Sequence, residues 1–219
     1  MRKTWLLIAA LGLALTGRAS AAPSFFGPTG NLVIPTADTM AQNSWNAHVH
    51  AADTPGAATT TFGASYGVVK QLEFGITGYH LSGFGTKALI NAKYALLQET
   101  AKVPGLAVGG LDIANQLDLD PGIYVVASKS LTTLLGGGGP LAKYNLRGHI
   151  GYGANNVFND DIFGGLDLQV TPKVQAMIEW LNGNLYAGGR IGITSGVRIE
   201  LGSYDGDFGG GVSYAAALR

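Results

Sequence analysis

The sequence predicts an all-β fold: an antiparallel up-and-down transmembrane β-barrel of about twelve strands. Three observations point to it. From Ser44 onward, apolar and polar residues alternate with a period of two, in segments of strand length separated by turn residues. Glycine accounts for 34 of 219 residues and charged residues for only 13%, against about 7% and about 25% in ordinary soluble domains. Finally, 47% of the chain is hydrophobic, yet no apolar run beyond the first segment approaches the roughly 20 residues of a spanning helix. Collagen needs glycine at every third position and disordered chains lack apolar residues, so neither accounts for this composition. A barrel wall does, because lipid takes one face of each strand and charge is confined to the other face and the loops.

In chain order, residues 1–22 read as a signal peptide. Arg2 and Lys3 supply the basic start, residues 5–16 an apolar run, and Ala19-Ser20-Ala21 and Ser20-Ala21-Ala22 the small residues of a cleavage site. Residues 23–219 then form a single outer-membrane barrel domain. Its first part, 23–43, contains a turn at Gly27, Pro28 and Gly30, then the short apolar stretch Leu32-Val33-Ile34 ended by Pro35. It is either the first barrel strand or a segment tucked into the lumen. Strands follow at 44–51, 59–68, 72–81, 87–97, 105–115, 122–131, 145–153 and 162–170.

The C-terminal third is the clearest. Val174, Ala176, Ile178 and Trp180 share one face, opposite Gln175 and Glu179. Asn182-Gly183 is the strongest two-residue hairpin signal, since both positions take positive φ. Leu185, Ala187, Gly189, Ile191 and Ile193 then alternate with Tyr186 and Arg190, and Val197, Ile199 and Leu201 with Arg198 and Glu200. Asp205-Gly206 turns the chain into a last strand carrying Phe208, Val212 and Tyr214. Two segments are less regular: Val125 and Val126 interrupt the alternation in 122–131, and 88–98 accommodates either period.

The polar faces carry Glu73, Lys93, Asp112, Arg147, Asp167, Glu179, Arg190, Arg198 and Glu200. Turned into a lumen, these mixed charges can pair with one another; turned to lipid, each Arg or Lys near the midplane would cost about 2–4 kcal/mol. Glu179 is expected to pair with Arg190 or Arg198, or else to contact a sugar or an ion. Two features sit awkwardly with the barrel. The chain finishes Ala215-Ala216-Ala217-Leu218-Arg219, without the aromatic residue common at the end of such barrels. The connection 132–144, with Gly136–Gly139 and Pro140, also falls on the side where turns are usually short, unless a strand has been missed.

Residues 27–38, Gly-Pro-Thr-Gly-Asn-Leu-Val-Ile-Pro-Thr-Ala-Asp, resemble the opening "G-x-T-G-L-…-P-T-A" of the YjbH-like outer-membrane barrel family. Residues 170–183, with the return strand from Leu185 to Gly189, resemble that family's "T-P-x-L-x-L-x-x-E-Y-x-G" hairpin. The resemblance implies an outer-membrane barrel associated with exopolysaccharide production. It implies no catalytic residues and no particular ligand.

The residues give no enzyme signature. Gly63-Ala64-Ser65-Tyr66-Gly67 matches G-x-S-x-G, but that elbow needs a strand-to-helix turn, and here it lies inside a period-2 strand. His149 and Asp167 are present as partners without a reason to meet Ser65. His48 and His50 share one strand face and are weak metal candidates. The stretch Asn155-Asn156…Asn159-Asp160-Asp161 lacks calcium-loop spacing, and Gly83-Phe84-Gly85-Thr86-Lys87 lacks that of a phosphate loop. Without cysteine, thiol catalysis is excluded. Once Arg2, Lys3 and Arg18 are removed, the slight acidic excess gives no reason to expect nucleic acid. No cofactor is expected. The expected partners are outer-membrane lipid, and polysaccharide or envelope secretion proteins. Three functions remain open: a structural or passive barrel accessory to exopolysaccharide secretion, a narrow porin-like channel, and a soluble periplasmic β-sandwich that binds a ligand.

Overall fold

The structure, a computed structural model, describes residues 22–54, 57–134 and 144–218. The expected signal peptide, Ala22 apart, and the glycine run at 136–139 lie outside the described residues. The strands are β1 (Ser44–Thr54), β2 (Ala57–Val69), β3 (Leu72–Leu81), β4 (Gly85–Leu97), β5 (Gly105–Leu111) and β6 (Gly122–Ser130), then β7 (Asn145–Ala154), β8 (Asp161–Thr171), β9 (Val174–Leu181), β10 (Asn184–Gly192), β11 (Val197–Tyr204) and β12 (Asp207–Ala217). Each pairs antiparallel with its sequence neighbours, and β1 pairs with β12 to close the barrel. Closure leaves no free edge and excludes the two-sheet sandwich.

Turn chemistry sets the register as the sequence suggests. Asn182 and Gly183 take φ 51° and 80° between β9 and β10, and Asp205 and Gly206 take 56° and 90° between β11 and β12. In β6, Val125 faces out and Val126 faces in, so alternation holds and the two valines merely straddle the wall. β4 is a strand paired on both sides, with a register shift against β5 between Ala95 and Leu97. β5 is shorter than the expected 105–115. It stops at Leu111 because Asp112 enters the left-handed region at φ 51° and opens a loop.

β1 starts and β12 ends at the same rim, called here the terminal rim. The β6–β7 connection lies at that rim too, since twelve strands leave its side unchanged; no missed strand moves it. A single helical turn, α1 (Leu131–Leu134), opens it.

The outer wall is apolar. Ile76, Ile123, Ile150, Leu166, Ile178 and Leu185 are among its exposed side chains, between 42% and 62% accessible. Among described outward strand positions, the only Asp, Glu, Lys or Arg residues are Asp53 and Lys129, each near a strand end. Lys129 is drawn into the 98–104 connection, where its Nζ donates to the carbonyls of Thr100 (2.5 Å) and Ala101 (3.1 Å). Outward aromatics line one arc of the terminal rim, on β12 and β1 to β4. Trp45 packs on Tyr214 with ring centroids 5.4 Å apart, Tyr66 donates to Asn43 Oδ1 and Tyr94 to Gln71 Oε1. Such an apolar band, edged by aromatics along this arc, suits a bilayer.

Inside, the half nearer the far rim is an apolar core. Phe158, on a 3-10 turn (Asn156–Phe158) between β7 and β8, folds inward and packs with Tyr124 and Phe163. Glycine makes this possible: a Cβ at Gly153 would collide with the Phe158 ring and one at Gly109 with the Tyr124 ring. Some of the chain's glycine excess therefore makes room within the lumen, a use the composition alone does not reveal.

Candidate functional site in the barrel lumen

The N-terminal segment occupies the lumen over residues 22–40, and residues 41–43 are exposed where it leads into β1. It is a compact double reversal, with isolated bridges Pro23–Thr29 and Gly30–Pro35 and the turn at Gly27 taken at φ 106°. Six of its peptide N–H groups, from Ser24, Phe25, Gly27, Gly30, Asn31 and Thr36, bond to carbonyls within the segment, as Phe25 N–H does to Leu32 O at 2.7 Å. The others need partners, because an unpaired buried N–H or C=O is costly, and the inward side chains supply them.

Two carboxylates take the N–H groups. Glu179 accepts from Leu32, Val33 and Ile34 at 2.6, 2.9 and 2.9 Å. Glu73 accepts the Thr29 N–H at 2.7 Å, the Thr29 hydroxyl at 2.5 Å and the Met40 N–H at 3.0 Å. Cations and hydroxyls take the carbonyls. Lys93 Nζ donates to Thr29 O at 2.6 Å and lies 3.8 Å from Glu73. Arg190 donates to Pro23, Gly30 and Asn31 carbonyls while held by Glu200. Thr61 donates to Phe25 O and Asn91 to Phe26 O. The buried charges of the wall are thus complementary to the backbone of this plug, which offsets their desolvation with charge-assisted bonds.

At the terminal rim a second set ties the plug's exit. Arg147 grips Asp38 with Nη1–Oδ2 at 2.6 Å and Nη2–Oδ1 at 3.1 Å, and reaches Glu99 at 3.1 Å. Burial opposes the charge on Asp38, but the hydrogen bond and charge of Arg147 outweigh it and hold the carboxyl below its ordinary range.

Most sequence-predicted polar residues face this lumen: Glu73, Lys93, Arg147, Asp167, Glu179, Arg190, Arg198 and Glu200. Their partners differ from expectation. Glu179 pairs with neither Arg190 nor Arg198, because the plug's N–H groups occupy it, and Arg190 pairs with Glu200 instead. Asp112 is not on a strand face. It caps the 112–121 loop, accepting from Gln116 and Leu117 N–H at 2.8 Å each. His48 and His50 face inward with rings 5.1 Å apart.

Ser65 lies in mid-strand, paired with Asn46 and Gly75, and donates to Gly27 O; no elbow exists there. His149 and Asp167 do meet, at 2.7 Å, but their serine is Ser128, 2.7 Å from His149 Nδ1. The Ser128 hydroxyl accepts the Ala37 N–H at 2.8 Å, so this buried chain is another anchor for the plug. Sequence reasoning passed over Ser128. Its only signal is its register opposite His149 on adjacent strands.

No family model and no curated protein matches the chain. Among solved structures, it is similar to a designed transmembrane β-barrel at 9% identity and a TM-score of 0.30, covering 80% of this chain and 97% of the other. It is also similar to an outer membrane channel from Pseudomonas putida F1 at 12% identity and a TM-score of 0.39, covering 86% of this chain and 100% of that one.

Proposed function

We propose that this protein is an outer-membrane β-barrel held shut by its own N-terminal segment. Its role is structural or accessory at the cell envelope, and it is not an open diffusion pore. The reading is carried by the plug itself: residues 22–40 lie within the lumen and are bonded by Glu73, Lys93, Glu179 and Arg190 from separate strands. The apolar outer wall supports outer-membrane lipid as its surroundings. We assign no catalytic step.

An accessory role in exopolysaccharide production or secretion, alongside polysaccharide or envelope secretion proteins, rests on the YjbH-like resemblance. One contact supports it: Glu179, in one resembling stretch, binds the N–H groups of residues 32–34 in the other. The resemblance therefore falls on two halves of one device.

A narrow channel is the second reading. The plug forms no strand pairing with the wall among the described residues, so its withdrawal would leave the barrel closed on itself. Conductance in planar bilayers tests both readings. The full chain should be silent, and a chain lacking 23–38 should conduct. Steady conductance by the full chain would favour the channel reading, and silence of both would leave a filled, structural barrel. Loss of surface polysaccharide on deletion, with unchanged small-solute permeability, is the expected signature of the accessory role.

A further inference from the structure

Most of the lumen's polar groups are matched, but one arc of the wall is not. Eight buried side-chain nitrogen or oxygen atoms lack a partner among the described residues, and six of them cluster here: Asn31 Nδ2, Asn46 Oδ1, both ring nitrogens of His48, His50 Nδ1 and Arg198 Nη1. The register brings the wall residues together. His48 on β1 and Arg198 on β11 both pair with Ser213 on the intervening β12, so the three residues stand in a row on the inner face, with the His48 ring leaning over Gly63 of β2. Asn46 and His50 flank His48 on the same face of β1. Asn46, His48 and His50 are 0%, 4% and 1% exposed, so their unmatched atoms look into the protein. Buried polar atoms in folded proteins are bonded almost without exception, and this concentration calls for an occupant.

The charge of the arc selects the class of occupant. The nearby Glu179 carboxylate is taken up by the N–H groups of residues 32–34, and Arg190 is paired with a second carboxylate, Glu200. That carboxylate is already engaged by Arg190 and by the Tyr204 hydroxyl at 2.8 Å, and lies 3.7 Å from His50 Nε2. Arg198 has no carboxylate partner among the described residues. A metal cation on His48 and His50 would face this positive field, whereas an anion would relieve it. Of the unmatched atoms, a guanidinium N–H, one imidazole N–H of His48 and the Asn31 amide can donate and the Asn46 amide can turn either way, whereas His50 directs Nε2 toward Glu200 and so presents Nδ1 as an acceptor. Arg198 is the second residue of β11 and only half-buried, which leaves an approach from the terminal rim.

We propose that Arg198, His48 and Ser213, with His50 and Asn46 beside them, form a binding site for a small oxyanion inside the lumen. The planar fork of Arg198 supplies charge and two parallel donors, and His48 and Ser213 supply one donor each. The site needs only the closed barrel, so it stands or falls separately from the accessory and channel readings.

Inorganic phosphate is the probe, titrated into the detergent-solubilised full mature chain in chloride buffer and followed by calorimetry. One saturable site per chain is expected. R198Q and H48Q should each weaken it at least about tenfold, and R198K, which keeps the charge but not the fork, should weaken it less than R198Q does. The heat-dependent electrophoretic shift verifies that each variant is folded. If R198Q does not fold, R198K and H48Q carry the comparison. Absence of saturable binding at millimolar phosphate, or affinity unchanged in any folded variant of Arg198 or His48, overturns the proposal and leaves water as the partner of these groups.

Discussion

The Glu179 carboxylate accepts the Ile34 N–H at 2.9 Å, joining residues 145 apart in sequence. With the Leu32 and Val33 bonds, one side chain of β9 satisfies three consecutive peptide groups that no strand pairing reaches. Glu179→Gln halves the acceptor capacity and turns an NH2 toward N–H donors. A loss of about 3 kcal/mol is expected, read as a lower denaturant midpoint for the folded barrel, together with bursts of conductance that the parent chain lacks. A variant as stable and as silent as the parent would mean that the plug is held elsewhere.

Gly153 and Phe158 make a second coupled pair, this one steric. The ring of Phe158 lies where a Cβ at residue 153 would be. Gly153→Val should cost about 1–3 kcal/mol, and adding Phe158→Ala should recover part of that cost because the obstruction is gone. A double-mutant cycle measures this coupling; strict additivity would show that the ring is free to move aside.

The wall of this barrel was legible in the sequence because its signal is local. Val174 to Trp180 and Val197 to Leu201 alternate without interruption, and Asn182-Gly183 names its own turn. The filling was not, because it depends on contacts between distant residues whose types are ordinary. Glu73 and Glu179 read as lumen groups, but nothing in their surroundings says that their partners are backbone N–H groups. Asp112 reads as a strand residue until its left-handed φ is known. The segment 23–43 was readable only as two alternatives, since Leu32-Val33-Ile34 would suit a buried strand equally well.

The Asp38–Arg147 pair predicts a pH dependence of defined sign. Asp38 has its carboxyl held below the ordinary 3.8 in the folded chain. Its contribution is therefore complete above that value and is lost as pH falls through the lower folded one. Asp38→Asn should lower stability by a constant amount from neutral pH down to mild acid, and the difference from the parent should vanish only below pH 3.8. Urea titrations of both chains across that range test it; a gap that closes near neutral pH would assign the effect to another group.

The outer wall tests whether this barrel lives in lipid or in water. Ile150 points outward from the middle of β7, 62% exposed, between Ala127 and Gly164 on the neighbouring strands. In a bilayer, Ile150→Arg places a guanidinium near the midplane and should cost about 2–4 kcal/mol. Ala58→Arg, near the far rim on β2 and opposite Asp53, should cost about 0–1 kcal/mol. A soluble barrel would treat both as surface substitutions, within about 0.5 kcal/mol of the parent. The two variants, refolded into phospholipid vesicles and unfolded with denaturant, distinguish the cases by the depth dependence of the penalty. A steep difference between position 150 and position 58 requires a hydrocarbon layer around the wall, because water has no depth for a charge to sense.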